Sequence, residues 1–182
     1  MTKINTRFAD DTDLSQPRIG HITHMINTAY ELAESGMWKS GGTRTNTLLV
    51  EQNVKDKALL LAELDNTIVG SLLVQLKDKQ TCEMGVIVAD VTFRKLGIGS
   101  ALINTAEQWA IEQGCKVMRL ELLTPRNWSH PSKEFLKQWY TRLNYIPKQT
   151  ESFEKVYPQK IAELDTECDF TVWLKALCLI TQ

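Results

Sequence analysis

The stretch Glu83 to Gly114, EMGVIVADVTFRKLGIGSALINTAEQWAIEQG, constrains this chain more than any other, because it reads as a strand, a glycine-punctuated turn and a helix. Met84 to Ala89 is a short run rich in Val and Ile, long enough for a buried strand and too short for a helix of its own. Arg94-Lys95-Leu96-Gly97-Ile98-Gly99 breaks the run. From Ile98 the apolar positions Ile98, Leu102, Ala106 and Trp109 follow one helix face, and Gly114 can end the helix in a left-handed cap. The two glycines thus fall where strand becomes helix. The first turn of a helix carries backbone N–H groups without intrahelical partners and a partial positive charge, which together suit an anion. Glycine bares those donors, and Arg94 and Lys95 add charge beside them. A tight turn whose glycines serve backbone geometry alone is the competing reading.

The flanking chain sets the context. Lys3 to Ala9 alternates as a first strand, and Ile19, Ile22, Ile26, Ala29 and Ala33 step as an amphipathic helix from Pro17 to near Gly36. Met37 to Arg44 is a loop with an exposed-looking Trp38, either a mobile cover for a substrate or a lid on the core edge. Thr45 to Val54 fits a short helix with Leu48, Leu49 and Val50 as its buried side. Ala58 to Leu64, the turn Asp65-Asn66, Thr67 to Leu76 and the turn Lys77 to Gln80 lead into the Glu83 strand as an antiparallel meander. Lys116 to Thr124 is the next strand, parallel to its predecessor because a helix precedes it. After the loop PRNWSHP, Ser132 to Leu143 forms a helix with Phe135, Leu136, Trp139, Tyr140 and Leu143 on one side and Asn144 as a left-handed cap. A strand begins at Tyr145, and Asp169 to Leu177 closes the chain as a strand with Phe170, Val172 and Leu174 on one face. The fold class is α/β (α+β): an antiparallel meander followed by a βαβ unit in a mixed sheet, with helices on both faces. Residues 1–182 read as a single domain.

Lys+Arg 21 against Asp+Glu 22, a net charge of -1, carries no nucleic-acid or membrane-surface signature. Cys82, Cys115, Cys168 and Cys178 show no C-x-x-C spacing, which suits reduced thiols in a cytoplasm. His21 and His24 have no further ligand at a zinc-motif spacing, so no metal is expected. With no leader pattern and no apolar run near about 20 residues, a soluble cytoplasmic protein is expected.

Arg94-x-x-Gly97-x-Gly99 after an apolar strand resembles the coenzyme A diphosphate loop of the GNAT superfamily of N-acetyltransferases. It is not the G-x-G-x-x-G dinucleotide fingerprint or a G-x-x-x-x-G-K-[ST] phosphate loop. Trp139-Tyr140-Thr141-Arg142-Leu143-Asn144-Tyr145 is similar to that family's F-Y-x-x-x-G-[FY] segment, with Asn144 in place of glycine. The resemblance implies acetyl-CoA as co-substrate. Its pantetheine arm would run along Ile87, Val88 and Ala89, and its diphosphate would meet Arg94, Lys95, Leu96, Gly97, Ile98, Gly99 and Ser100. One departure stands out: Lys133 occupies the position, seven residues before Tyr140, where the family has an asparagine.

By the same resemblance the activity is transfer of an acetyl group to a primary amine of a small molecule or peptide. Tyr140 is the candidate general acid toward the departing thiolate. Glu83, eleven residues before Arg94, and Glu121, on the following strand, are alternative general bases matching two branches of the superfamily. Burial inside apolar strands would raise either carboxylate toward a useful range. A backbone N–H near Val88 would stabilise the oxyanion. A coenzyme-binding sensor without turnover, another acyl group and an oxygen acceptor remain open alternatives. Homodimers are common in the family, but no feature of this chain fixes the oligomeric state.

Overall fold

The structure is a computed structural model that describes residues 4–39 and 42–177. Its elements in chain order are β1 (Asn5–Phe8), α1 (Gln16–Ala33), α2 (Thr47–Lys55), β2 (Leu59–Leu64), β3 (Thr67–Leu76), β4 (Thr81–Ala89), α3 (Ile98–Glu112), β5 (Val117–Pro125), α4 (Pro131–Arg142), β6 (Ile146–Ser152), α5 (Phe153–Val156) and β7 (Cys168–Ala176). The strands lie in one sheet in the order β1-β2-β3-β4-β5-β7-β6.

The meander and the crossover are both present. β1 to β4 pair antiparallel in sequence order, and the β2–β3 connection is a two-residue turn in which Asp65 and Asn66 both adopt left-handed backbone (φ 48 and 64). Such a primed turn follows the natural twist of a hairpin, and Asp and Asn tolerate it at modest cost. β4 and β5 run parallel, because α3 carries the chain back across the sheet between them. β7 then inserts between β5 and β6, antiparallel to both.

The sheet is covered on two faces. Leu60, Leu72, Met84, Met118, Leu120 and Trp173 pack with Leu102, Ile103 and Ala106 of α3 and Tyr140 of α4. Opposite them, Ile19, Ile22 and Ile26 of α1 and Val50 and Val54 of α2 close over Leu59, Leu61 and Ile68. A smaller group formed by Met37, Leu123, Phe153, Leu164 and Cys168 lies beyond the end of α1. Each such large aliphatic side chain contributes about 2 kcal/mol by leaving water.

Three details differ from the sequence reading. Leu48 and Leu49 are exposed at 75% and 53%, because α2 starts at Thr47 under an Asn46 cap and turns the i, i+4 pair Val50 and Val54 inward. Phe135 is 57% exposed: the inner face of α4 runs through Lys133, Leu136 and Tyr140, and Phe135 stacks on Trp139 at the flank instead. In β7, Trp173 on the face opposite Phe170 is the most deeply buried aromatic, because an interior strand is covered on both sides. Cys178 lies outside the described residues; Cys82, Cys115 and Cys168 are buried free thiols. No described helix is long and apolar enough to cross a membrane.

Candidate active site

The site begins with a fault in the sheet. Between β3 and β4 the register passes from Leu73↔Gly85 to Ser71↔Val88, so β4 carries an extra residue, and Val86 sits in left-handed backbone (φ 48). A β-branched residue there costs on the order of 1–3 kcal/mol and marks a bulge that re-aims the strand. Pairing with β5 stops just before this bulge, at Glu83↔Arg119. β5 stays paired with β7 as far as Pro125↔Cys168, so it does not follow β4. The two parallel strands diverge, and from Met84 to Ala89 the β5-facing edge of β4 has no ladder partner among the described residues. Ile87, Val88 and Ala89 on this edge line a cleft of about 980 Å³.

At the far end of β4 the chain turns through Val91–Phe93, where the Asp90 carboxylate accepts hydrogen bonds from the Thr92 N–H (2.8 Å) and hydroxyl (2.7 Å). Lys95 (φ 66) and Gly97 (φ 83) then adopt left-handed backbone on either side of Leu96. The first hydrogen bond of α3 runs from Ala101 N–H to the Gly97 carbonyl at 3.0 Å. Among the described residues, the N–H groups of Lys95, Leu96, Gly97, Ile98, Gly99 and Ser100 find no acceptor. A run of bare donors at the positive end of a helix is an anion cradle. The two glycines do different things there. Gly97 permits the left-handed turn and has nothing within 4 Å of an added Cβ, whereas a Cβ on Gly99 would stand 2.8 Å from the Trp139 ring. Gly99 therefore admits the indole, which closes one side of the cradle.

Tyr140 reaches the cleft from α4, braced by Trp139, Tyr145 and Trp173. Burial pushes its phenol well above the ordinary tyrosine range, and nearby Tyr30 of α1 adds to the effect. Its hydroxyl has no hydrogen-bond partner among the described residues.

Glu83 and Glu121 share one guanidinium on adjacent strands. Arg119 donates through Nη1 to Glu83 and through Nη2 to Glu121 at 2.6 Å, and Lys77 Nζ lies 3.2 Å from Glu83. Both carboxylates line the cleft, but each meets a cation rather than the apolar setting expected from strand burial.

Lys133 is buried with its ammonium 2.6 Å from Glu34 Oε1, while Trp38 Nε1 donates to Glu34 Oε2 at 2.5 Å. Trp38 is half-buried, pairs by backbone with Leu164 and meets Phe153 edge-on, so it caps the core edge and lines the cleft at once. Glu34, Tyr30 and Arg119 were not apparent from sequence. Glu34 and Lys133 are ninety-nine positions apart, and Arg119 looks like any polar residue in an alternating strand.

Of the two histidines, His21 Nε2 lies 2.8 Å from the Ile68 carbonyl. Among the described residues, no three His, Cys, Asp or Glu side chains gather in a way that could hold a metal ion.

A mixed sheet split between two parallel strands, with a helix-terminal anion cradle at the mouth of the split, defines the class of α/β protein to which the chain belongs. The chain belongs to the GNAT acetyltransferase family, whose model matches residues 23–140, more than half of its length. Among solved structures it is similar to yncA from Salmonella typhimurium, solved with its cofactor acetyl-CoA, at 15% identity and TM-score 0.68 over 98% of this chain and 96% of that one. An N-acetyltransferase from Staphylococcus aureus Mu50 is similar at 15% identity and TM-score 0.69, over 97% and 100% of the two chains. The ribosomal-protein-alanine N-acetyltransferase from Brucella melitensis is similar at 15% identity and TM-score 0.68, over 95% and 99%. At such identities the likeness is one of fold. No curated protein matches the chain.

Proposed function

We propose that the protein transfers the acetyl group of acetyl-CoA to a primary amine of a small molecule or peptide by direct attack. The observation that carries this reading is the run of unpartnered N–H groups from Lys95 to Ser100, continuous with the unpaired edge of β4 and leading to the Tyr140 hydroxyl. The cradle suits a diphosphate, with Arg94 and Lys95 beside it, and the open edge at Ile87, Val88 and Ala89 offers backbone groups to the pantetheine amides. Acetyl-CoA bound to yncA, a protein of the same fold, supports the choice of ligand.

In the reaction the amine nitrogen attacks the thioester carbon and a backbone N–H near Val88 stabilises the oxyanion. The carbon–sulfur bond breaks, and the departing thiolate takes its proton from Tyr140. The proton lost by the amine goes to Glu83 or Glu121, directly or through water. Burial keeps the Tyr140 phenol protonated through neutral pH, as a general acid requires.

Two measurements test this. Acetyl-CoA should raise the melting temperature, since a ligand that binds only the folded state stabilises it. Tyr140→Phe should keep that shift while lowering turnover on the order of 10²-fold in a thiol-release assay. Unchanged turnover would remove the general-acid assignment, and no shift at saturating acetyl-CoA would remove the whole reading.

A further inference from the structure

The charges lining the cleft are unevenly satisfied. Every lining carboxylate has a cation against it: Glu34 has Lys133, Glu83 has Arg119 and Lys77, and Glu121 has Arg119. The lining cations Arg44, Arg94, Lys95 and Lys160, by contrast, have no carboxylate within 4.0 Å among the described residues. Arg94 and Lys95 belong to the cradle at α3. Arg44 and Lys160 stand apart from it, on segments that wall the cleft on the α1 side of the sheet.

Near Lys160, Lys39 N–H donates to the Glu163 carbonyl (2.9 Å) and Asp165 N–H to the Met37 carbonyl (3.0 Å), so residues 37–39 and 163–165 form one wall. The segment of Arg44 is held to α1 instead, where Asn27 Nδ2 donates to the Thr45 carbonyl (3.1 Å) and Thr45 N–H to Asn27 Oδ1 (2.9 Å). The inner surface of that wall is aromatic: Trp38, Tyr157 and Phe170 are partly exposed around the fully buried Phe153, whose ring centroid lies 5.7, 5.5 and 5.6 Å from theirs. Arg44 does not swing freely at this mouth, because its guanidinium carbon lies 4.8 Å from the Tyr30 ring centroid. A stacked guanidinium keeps its in-plane donors available, and their fork matches a carboxylate.

We infer that the acceptor is an α-amino acid with a large apolar or aromatic side chain. Arg44 receives its carboxylate, Lys160 adds positive field, and the side chain lies against the wall formed by Trp38, Tyr157 and Phe170. This inference rests on the transferase reading and narrows it. In a peptide the carboxylate next to the reacting amine has become an amide and offers Arg44 no charge. A polyamine would meet cations, with every lining carboxylate already paired.

The test compares matched acceptors in the thiol-release assay: phenylalanine, leucine and methionine, their amides, phenethylamine and spermidine. The expected result is kcat/KM at least tenfold higher for at least one free acid than for its amide. Arg44→Ala should bring that ratio close to one, with Arg44→Lys recovering part of it and the acetyl-CoA melting shift unchanged in both variants. Amides or spermidine used as well as the acids, or a ratio untouched by Arg44→Ala, would overturn the inference. Should acetyl-CoA bind and no amine release thiol, the transferase reading fails. The carboxylate site is then judged by binding, as the melting shift of coenzyme-saturated protein with each free acid against its amide. A shift larger for an acid, and lost in Arg44→Ala, supports the site; equal or absent shifts overturn it.

Discussion

Gly99 shows at the scale of one residue how a family motif can be met for a reason of packing. A Cβ there would press on the Trp139 indole at 2.8 Å, so the glycine is matched to the tryptophan as well as to the turn. Gly99→Ala should therefore destabilise the protein by about 1 kcal/mol, as overpacking does. In a Trp139→Ala background the clash is gone, and the same substitution should become stabilising by up to about 1 kcal/mol, because alanine is the better helix former. A double-mutant cycle from denaturant melts reads the change of sign, and additivity within about 0.5 kcal/mol would show that the two residues are uncoupled. The glycine spacing was legible in the sequence because it is local. Its partner forty positions away was legible only as a motif residue, with no sign of the contact. The same limit hid Arg119, whose two carboxylate partners were each readable as a base while the cation between them was not.

The elements followed the sequence closely wherever a periodic apolar pattern met a turn signal. β3 spans Thr67–Leu76 as expected, and Asn144 (φ 66) caps α4 in left-handed backbone. α2 was harder, since three adjacent apolar residues do not say which face turns inward. Nothing in the sequence marked the junction that holds β1, β2 and α1 together. Asp13, fully buried in the turn before α1, receives Arg7 through Nη1 (2.7 Å) and Nη2 (3.0 Å) and Arg18 through Nε (2.8 Å), while Glu63 of β2 takes the other side of both cations. Burial works against the Asp13 charge, but the hydrogen bonds from Arg7 and the Asp10 N–H outweigh it and hold the carboxyl below its ordinary value. Asp13→Ala should cost about 3 kcal/mol, the low end for breaking a buried pair, because both guanidinium groups still reach solvent. Urea titration of the variant checks this, and a loss below about 1 kcal/mol would mean that Glu63 alone anchors the arginines.

Across the whole molecule the buried weak acids set the alkaline limit. Burial raises the Cys82 thiol to about 12 and the Cys168 thiol to about 11, pushes Cys115 up, and lifts the phenols of Tyr30, Tyr140 and Tyr145 above their usual range. A group whose folded pKa is raised supports the fold fully below its unfolded pKa, and that support is lost as pH climbs toward the folded value. Unfolded thiols ionise from about pH 8.5 and phenols from about pH 10. Guanidinium midpoints should therefore hold near neutrality, start to fall above about pH 9 and fall more steeply beyond about pH 10; a midpoint flat to pH 11 would contradict this burial. The sheet has a narrow seam: among the described residues, the ladder pairs that join its β1–β4 half to its β5–β7–β6 half run from Thr81 to Glu83, facing Val117 to Arg119. If the coenzyme arm lies along the free edge of β4, it acts as an additional strand supplied from outside the chain. Resistance of the folded protein to local opening and proteolysis would then follow the concentration of that ligand, as for any ligand that binds the folded state alone.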